Sequence, residues 1–410
     1  CINRAQEGRI MSEQLIGRYH GDKKTLFWLV MKTSFLTLIT LGIYRFWAKT
    51  RIRKYLWSGT AAGQDSFEYT GTGLEKFLGF LVAIVVLAIY LGIVQMILLF
   101  FGLSLMADAT TTAGKIAQIA SIYISFFAVI PLILFAKYRA RRYKMARTRW
   151  RGIRFGMDSA AWGFVWRSIA HSFLTIITLG LMVPRQTFYL EKYMADCTWF
   201  GDAQFVQNGR WQSLYPGLKH IGLGILILIG ASVVAATLEA FRLAFLLGIV
   251  GYIWLIFGSV YYRIFALNYL TENKLLNGQI GFYSDAQTGK VVGSAIKGTL
   301  LIALVAAVIG LVFAGVGAVL LNSVNFQNSS DLMGVVGGVL GIIGFVAYIG
   351  FLLLLSALSF IWIIQPIIAH VVDNIVLSGA EHLDAIQQRS ADAGADADGF
   401  ADALDISGAI

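Results

Sequence analysis

Ser34 to Gly42 reads SFLTLITLG, and Ser172 to Gly180 reads SFLTIITLG. The stretches lie 138 residues apart, and the same offset continues without a gap: Lys54 matches Lys192, Tyr55 matches Tyr193, Gly63 matches Gly201, Phe67 matches Phe205 and Gly71 matches Gly209. A shared offset held from Ser34 to Gly71 points to a duplicated unit. Both copies are apolar, so the unit reads as mostly membrane-embedded, and internal repeats often mark transporter or pore architecture.

Composition supports the membrane reading. Of 410 residues, 57% are hydrophobic and only 14% are charged, and the mean hydropathy is +0.70. Soluble chains average about 45–50% apolar and about 25% charged. The net charge of +10 could suggest nucleic acid. However, Lys and Arg cluster beside apolar runs, where the positive-inside rule and anionic headgroups account for them, so no nucleic-acid partner is expected. Cys1 and Cys197 give neither a disulfide framework nor a metal-ligand spacing, and the five histidines form no metal motif. No metal, cofactor or catalytic constellation is expected. Met11 reads as a start codon residue, with 1–10 upstream of it.

Six apolar runs are long enough to cross a bilayer, which takes about 20 residues. They are Phe77–Leu103, Ile116–Ala136, Leu218–Leu238, Leu243–Ala266, Val291–Leu321 and Met333–Ile364. They pair into three hairpins with basic open ends, including Lys76, Lys137, Lys219, Arg263, Lys290 and Lys297. The positive-inside rule puts those ends, and both termini, in the cytoplasm.

The repeated segments, Phe27–Tyr44 and Trp162–Val183, are shorter and basic at both ends. Nine basic and no acidic residues lie between Lys137 and Arg154. These segments read as re-entrant or interfacial elements that leave on the side they entered; two ordinary crossings remain the alternative. Between the apolar segments a Tyr–Gly–Phe pattern recurs at Tyr55/Gly63/Phe67, Tyr143/Gly152/Phe155, Tyr193/Gly201/Phe205 and Tyr269/Gly278/Phe282, and Leu15–Gly21 resembles a fifth copy of its second half. Alternation bounded by Gly and Asn predicts short strands and tight turns, gathered as a small cytoplasmic sheet or set of hairpins. The fold class expected is therefore mainly α: a polytopic transmembrane protein with internal repeats, six long spans, two short re-entrant or spanning segments and small cytoplasmic β elements.

In chain order this divides into an N-terminal segment (1–26), membrane repeat 1 (27–161), membrane repeat 2 (162–290), a transmembrane hairpin (291–375) and an acidic tail (376–410). The tail, rich in Ala, Asp and Gly, reads as disordered. The acidic spacing around Asp396–Gly399 is incomplete for a calcium loop.

ITLGIYRFWAKTRIRKYLWSGT at Ile39–Thr60, followed by FEYTGTGLEKFLGF at Phe67–Phe80, resembles the bacterial inner-membrane family typified by YjgN, a domain of unknown function. The resemblance runs from about Leu15 to Ile375. The second repeat departs from it, with MVPRQTFYLEK in place of IYRFWAKTRIRK. It implies an inner-membrane location and brings no established activity.

Ionisable residues inside a membrane segment are costly, which makes Lys32, Arg167 and His171 candidates for an anion or headgroup site; snorkelling to the interface is the plainer account. Gly42 and Gly180 could break a helix and expose backbone groups to a ligand, or could cap it. Arg45, Lys49, Arg51, Arg53 and Lys54, interleaved with Trp47, Tyr55 and Trp57, read as an interfacial anchor. Arg139, Arg141 and Arg142 read as headgroup contacts or topogenic charge. His370 and Asp373 could relay protons or end a helix. The expected role is transport or permeation of a small solute, ion or lipid. The alternative is a non-catalytic scaffold or lipid sensor with a cytoplasmic β surface. Membrane lipids, anionic ones above all, are the expected partners; an oligomer and a small-molecule substrate are left open.

Overall fold

The computed structural model describes residues 14–107, 110–323 and 330–389. Cys1, Met11, part of the Asn322–Asp331 turn and the acidic stretch from 390 to 410 lie outside them.

Among the described residues, ten short strands form one closed antiparallel barrel: β1 (Gln14–Tyr19), β2 (Thr60–Ala62), β3 (Asp65–Tyr69), β4 (Thr148–Trp150), β5 (Ile153–Met157), β6 (Thr198–Phe200), β7 (Ala203–Gln207), β8 (Lys274–Leu276), β9 (Ile280–Ser284) and β10 (Ile375–Ser378). Each strand pairs with its sequence neighbours, and β1 closes the ring against β10. The expected small sheet or separate hairpins is thus corrected to a barrel. Closure satisfies every strand edge, which lets three-residue strands persist where an isolated hairpin would be marginal.

The barrel organises everything else. Helices leave from one rim and tight turns sit on the other. Between β1 and β2 lie α1 (Lys23–Ile39) and α2 (Arg45–Ser58); between β3 and β4, α3 (Gly73–Phe100) and α4 (Thr112–Ala146). Between β5 and β6 lie α5 (Ala161–Ile177) and α6 (Val183–Asp196); between β7 and β8, a 3-10 turn (Trp211–Leu218), α7 (Lys219–Leu238) and α8 (Phe241–Glu272). Between β9 and β10 lie α9 (Thr288–Ser323), α10 (Ser330–Ser359), a π turn (Phe360–Ile364) and α11 (Gln365–Asp373). Among the described residues, five helical excursions alternate with four tight strand turns, and β10 closes on β1. Because each excursion starts on one strand and returns to its neighbour, each begins and ends on the same rim. The short segments 27–44 and 162–183 form the first helix and tip of two of these excursions, and a second helix brings the chain back to the barrel.

Among the described residues, six helical stretches are long and apolar enough to cross a membrane: Gly73–Phe100, Thr112–Ala146, Trp211–Leu238, Phe241–Glu272, Thr288–Gly315 and Gly341–Asp373. They match the six runs read from the sequence. Within the most apolar window of each, only 6 to 11% of residues are buried in the protein, which fits lipid on their outer faces.

The short segments Phe27–Tyr44 and Trp162–Val183 cover most of α1 and α5 with the tip that follows, and each belongs to a helix–turn–helix hairpin of equal size: α1 and α5 have 17 residues each, and α2 and α6 have 14. Their tips are built alike. Leu41 (φ 50) and Gly42 (φ 91) repeat as Leu179 (φ 49) and Gly180 (φ 91). Gly42 N donates to Thr37 O and Leu41 N to Leu38 O; Gly180 N donates to Thr175 O and Leu179 N to Ile176 O. This is a Schellman closure, which uses up the last carbonyls of each helix. The exposed-backbone reading of Gly42 and Gly180 is therefore replaced by a helix cap. Both tips are apolar, with Leu41 and Leu179 each 94% exposed.

The barrel's turn rim is capped. Ala380, Leu383 and Ile386 pack into its core with Trp150, Phe200, Leu276 and Ile280. Asp202 N donates to Gln387 O, and Arg151 pairs with Asp384 at 3.1 Å. Residues 376–389 thus belong to strand β10 and this cap, so the proposed tail boundary at 376 falls inside a strand. The segments drawn as separate repeats all contribute strands to one barrel.

Candidate functional site

A polar cavity lies where α5 and α6 meet α4 and α8 on the helical rim. It measures about 710 Å³ and is lined by Lys137 and Arg141 from α4, Gln186, Thr187 and Glu191 from α6, Ser259, Tyr262 and Arg263 from α8, and Lys274 from β8. Phe164, Leu190, Ile221, Ala266 and Leu270 supply apolar wall. Four cations surround one carboxylate.

The α6 hairpin sets that carboxylate in place. Tyr193 Oη donates to Ala160 O at the start of α5, which clamps the base of the hairpin, and Tyr262 Oη donates to Thr187 Oγ1 across to α8. Glu191 then faces Arg141, which donates through Nη1 to Oε2 at 2.8 Å and through Nη2 to Oε1 at 3.0 Å; Lys274 Nζ reaches Oε1 at 3.3 Å. The planar guanidinium fork fits a carboxylate in this bidentate way. Burial raises the Glu191 pKa, but the Arg141 and Lys274 charges outweigh it and hold the group down at about 2. Glu191 is therefore ionised at neutral pH, and it leaves the pocket with a three-charge cationic excess. Among the described residues, Lys137 and Arg263 have no acidic partner; both are exposed. The site can hold an anion against an apolar wall.

None of Lys32, Gly42, Arg167, His171 and Gly180 lines this cavity. Lys32 is exposed on α1. Arg167 donates to Gly163 O and lies 4.4 Å above the Tyr193 ring. His171 stacks on Tyr189 at 5.4 Å.

Of the expected headgroup residues, Arg45, Arg51 and Lys54 are exposed and Lys49 is half-buried. Arg139 lies over the Phe135 ring. Arg53 departs from expectation: it is 6% exposed, donates to Tyr69 Oη at 3.1 Å and lies over the Tyr69 and Trp57 rings. It is a packing residue, out of reach of headgroups. Arg142 donates to Met157 O, and Arg141 is committed to Glu191. His370 accepts from Gln287 N and Asp373 from Tyr19 N, so both stitch α11 to the barrel.

Sequence reasoning missed Glu191 and Lys274 and read Arg263 as topological charge, while Lys137 opens the basic run 137–154, read there as headgroup contacts or topogenic charge. The available signal was Glu191 itself, the acidic substitution at the position where the first repeat carries Arg53.

Residues 14–305 match the family described as "Bacterial protein of unknown function (DUF898)". The chain is similar to the inner membrane protein YjgN of Escherichia coli K12, 25% identical over 162 residues, covering 40% of this chain and 36% of that protein. It is likewise similar to YjgN of Salmonella typhimurium, 22% identical over 165 residues, covering 40% of this chain and 37% of that protein. The matched part spans little more than a third of these relatives. No solved structure matches the chain. The relatives and the six apolar helices together support a multi-pass location in the inner membrane. With a match over residues 14–305 of 410, the chain belongs to this bacterial protein family of unknown function.

Proposed function

We propose that the protein is a non-catalytic membrane protein that binds anionic lipid headgroups in the α4–α6–α8 pocket, with its barrel and both termini on the cytoplasmic side. The carrying observation is the cationic excess of that cavity. Arg141 and Lys274 are neutralised in part by Glu191, while Lys137 and Arg263 are left to meet a phosphate. Phe164, Leu190 and Ile221 offer a surface for the first methylenes of an acyl chain. The basic clusters at the helical rim support the orientation through the positive-inside rule. Lys32, Arg167 and His171 lie off the pocket, which favours headgroup recognition over solute passage.

The test uses purified protein in phosphatidylcholine nanodiscs containing a minor share of phosphatidylglycerol. Lipid co-purifying with the protein after delipidation is then weighed by native mass spectrometry. Wild type retains phosphatidylglycerol in preference to phosphatidylcholine. Lys137→Ala combined with Arg263→Ala loses that preference with its melting temperature intact. Equal retention of both lipids by wild type would overturn the reading. Flux through proteoliposomes that survives the double substitution would move the assignment to transport.

A further inference from the structure

The barrel interior is built from five cross-strand pairs, each joining the central residue of a long strand to the last or third residue of a short one. Four are large: Phe67 opposite Trp150, Phe155 opposite Phe200, Phe205 opposite Leu276, and Phe282 opposite Leu377. The aromatic rings touch in a chain, with centroids 5.7 Å apart for Phe67 and Trp150, 4.7 Å for Phe155 and Phe200, and 5.9 Å for Phe205 and Phe282. The fifth pair is Gly17 opposite Ala62. Here both members are small, on the two adjacent strands β1 and β2. A side chain cannot simply be restored at Gly17, because its Cβ would collide with the Val372 carbonyl.

The missing facet leaves a cavity of about 240 Å³, lined by Gly17, Ala62 and all four phenylalanines, with almost wholly apolar walls. Those four phenylalanines stay only partly buried although each faces the inside of a closed barrel. Close-packed interiors rarely tolerate such a gap. An apolar cavity of ~150 Å³ is enough to stay dry and take up benzene. The turn rim is shut by Ala380, Leu383 and Ile386. Leu15 and Ala61 add apolar wall, and Thr60, Val372 and Ile375 line the cavity toward the helical rim, the side from which a hydrophobic molecule would arrive.

We propose that the barrel lumen is a binding site for one compact hydrocarbon group, larger than benzene, that completes the fifth facet between Gly17 and Ala62. It contains no charge to recognise, so the ligand's buried part is apolar. It comes either from a free hydrophobic molecule or from the end of a lipid chain.

The probe is 3-(trifluoromethyl)-3-phenyldiazirine, photolysed with the full-length protein in nanodiscs, with labelled residues mapped by mass spectrometry. Lumen residues such as Trp150, Phe155 and Phe205 are expected to label saturably, and excess trifluorotoluene should compete; labelling of the spans should rise without saturation. Ala62→Phe, which gives the fifth facet the kind of residue the other four carry, should remove lumen labelling and leave span labelling unchanged. Phe205→Ala, which enlarges the cavity, should increase it and serves if Ala62→Phe does not fold. In a parallel arm, phosphatidylcholine with a diazirine at its chain end replaces the free probe. Lumen crosslinks there identify a lipid chain as the source, and their absence beside free-probe labelling identifies a free hydrophobe. Lumen residues that stay unlabelled by both reagents, or lumen labelling that a folded Ala62→Phe protein retains, would overturn the proposal.

Discussion

The two short helical hairpins share a backbone and differ in chemistry. In both, a tyrosine at the base of the second helix reaches the residue that starts the first: Tyr55 Oη donates to Asp22 O, and Tyr193 Oη to Ala160 O. In both, the Leu–Gly tip closes with the same pair of hydrogen bonds. At matched positions, though, the first hairpin carries Arg53 and the second Glu191. Arg53 is buried against Tyr69 and Trp57, whereas Glu191 gathers Arg141 and Lys274 at the edge of a cavity. The shared residues specify the hairpin, and the unmatched one decides whether its base is packing or a charged pocket.

Swapping that residue is the sharpest way to break the comparison. Glu191→Arg puts three cations where a bidentate pair stood. Breaking a buried ion pair costs about 3–5 kcal/mol, and partial exposure here reduces that, but the added repulsion restores it; a loss of at least about 3 kcal/mol is expected. The measurement is the melting temperature in detergent, and a shift no larger than that of an exposed Lys54→Glu control would show that Glu191 organises nothing.

The same carboxylate has a pH signature. Its pKa falls from an ordinary 4.5 to about 2 in the folded protein. A depressed folded value means that its stabilisation is fully present above about pH 4.5 and is lost as pH falls through about 2. Wild type should therefore be more stable than Glu191→Gln at pH 5, and the two melting temperatures should converge on acidification toward pH 2. Curves that stay parallel would contradict the assignment.

Next in size are the tips, where the hairpins should behave alike. Nothing lies within 4 Å of a Cβ built on Gly42 or Gly180, so the cost of Ala is purely one of backbone conformation at φ 91. Gly42→Ala and Gly180→Ala should each destabilise by about 1–2 kcal/mol. Unequal losses, read from paired thermal melts, would mean that the two tips have different surroundings.

Much of this architecture is legible in the residues. Apolar length marks the six spans, and the Tyr–Gly–Phe spacing marks the strand hairpins, because Gly278 and its neighbours need the positive φ of a tight turn. Barrel closure is not legible, since it depends on pairing Gln14–Ile16 with Val376–Ser378 across almost the entire chain, and a ladder of three residues carries too little pattern to announce a partner. The pocket was hidden for a related reason. Lys137, Glu191, Arg263 and Lys274 come from four separate elements, and a lone basic residue at a helix end looks the same whether it faces lipid or a cavity. Lys32 and His171 stood out for being ionisable in apolar surroundings, which signals cost but not location.

The smallest difference between the hairpins tests how far their likeness extends. In each, the threonine before the Leu–Gly tip turns its hydroxyl to the backbone of the helix that follows. Thr40 Oγ1 accepts from Tyr44 N at 2.9 Å, and Thr178 Oγ1 accepts from Met182 N at 3.3 Å. Both hydroxyls also donate back to the preceding helix, to Leu36 O and Leu174 O. Valine keeps the branched shape and removes the acceptor. Loss of a capping hydroxyl costs about 0.5–2 kcal/mol, with longer bonds at the low end. Thr40→Val should therefore cost about 1 kcal/mol, and Thr178→Val about half as much. Hydrogen exchange at the Tyr44 and Met182 amides reads the same contrast locally, because the shorter bond should give the greater protection. If Met182 proves the better protected, the order of the two caps is reversed. The second tip, whose hairpin carries the charged pocket, would then be the more tightly closed of the pair.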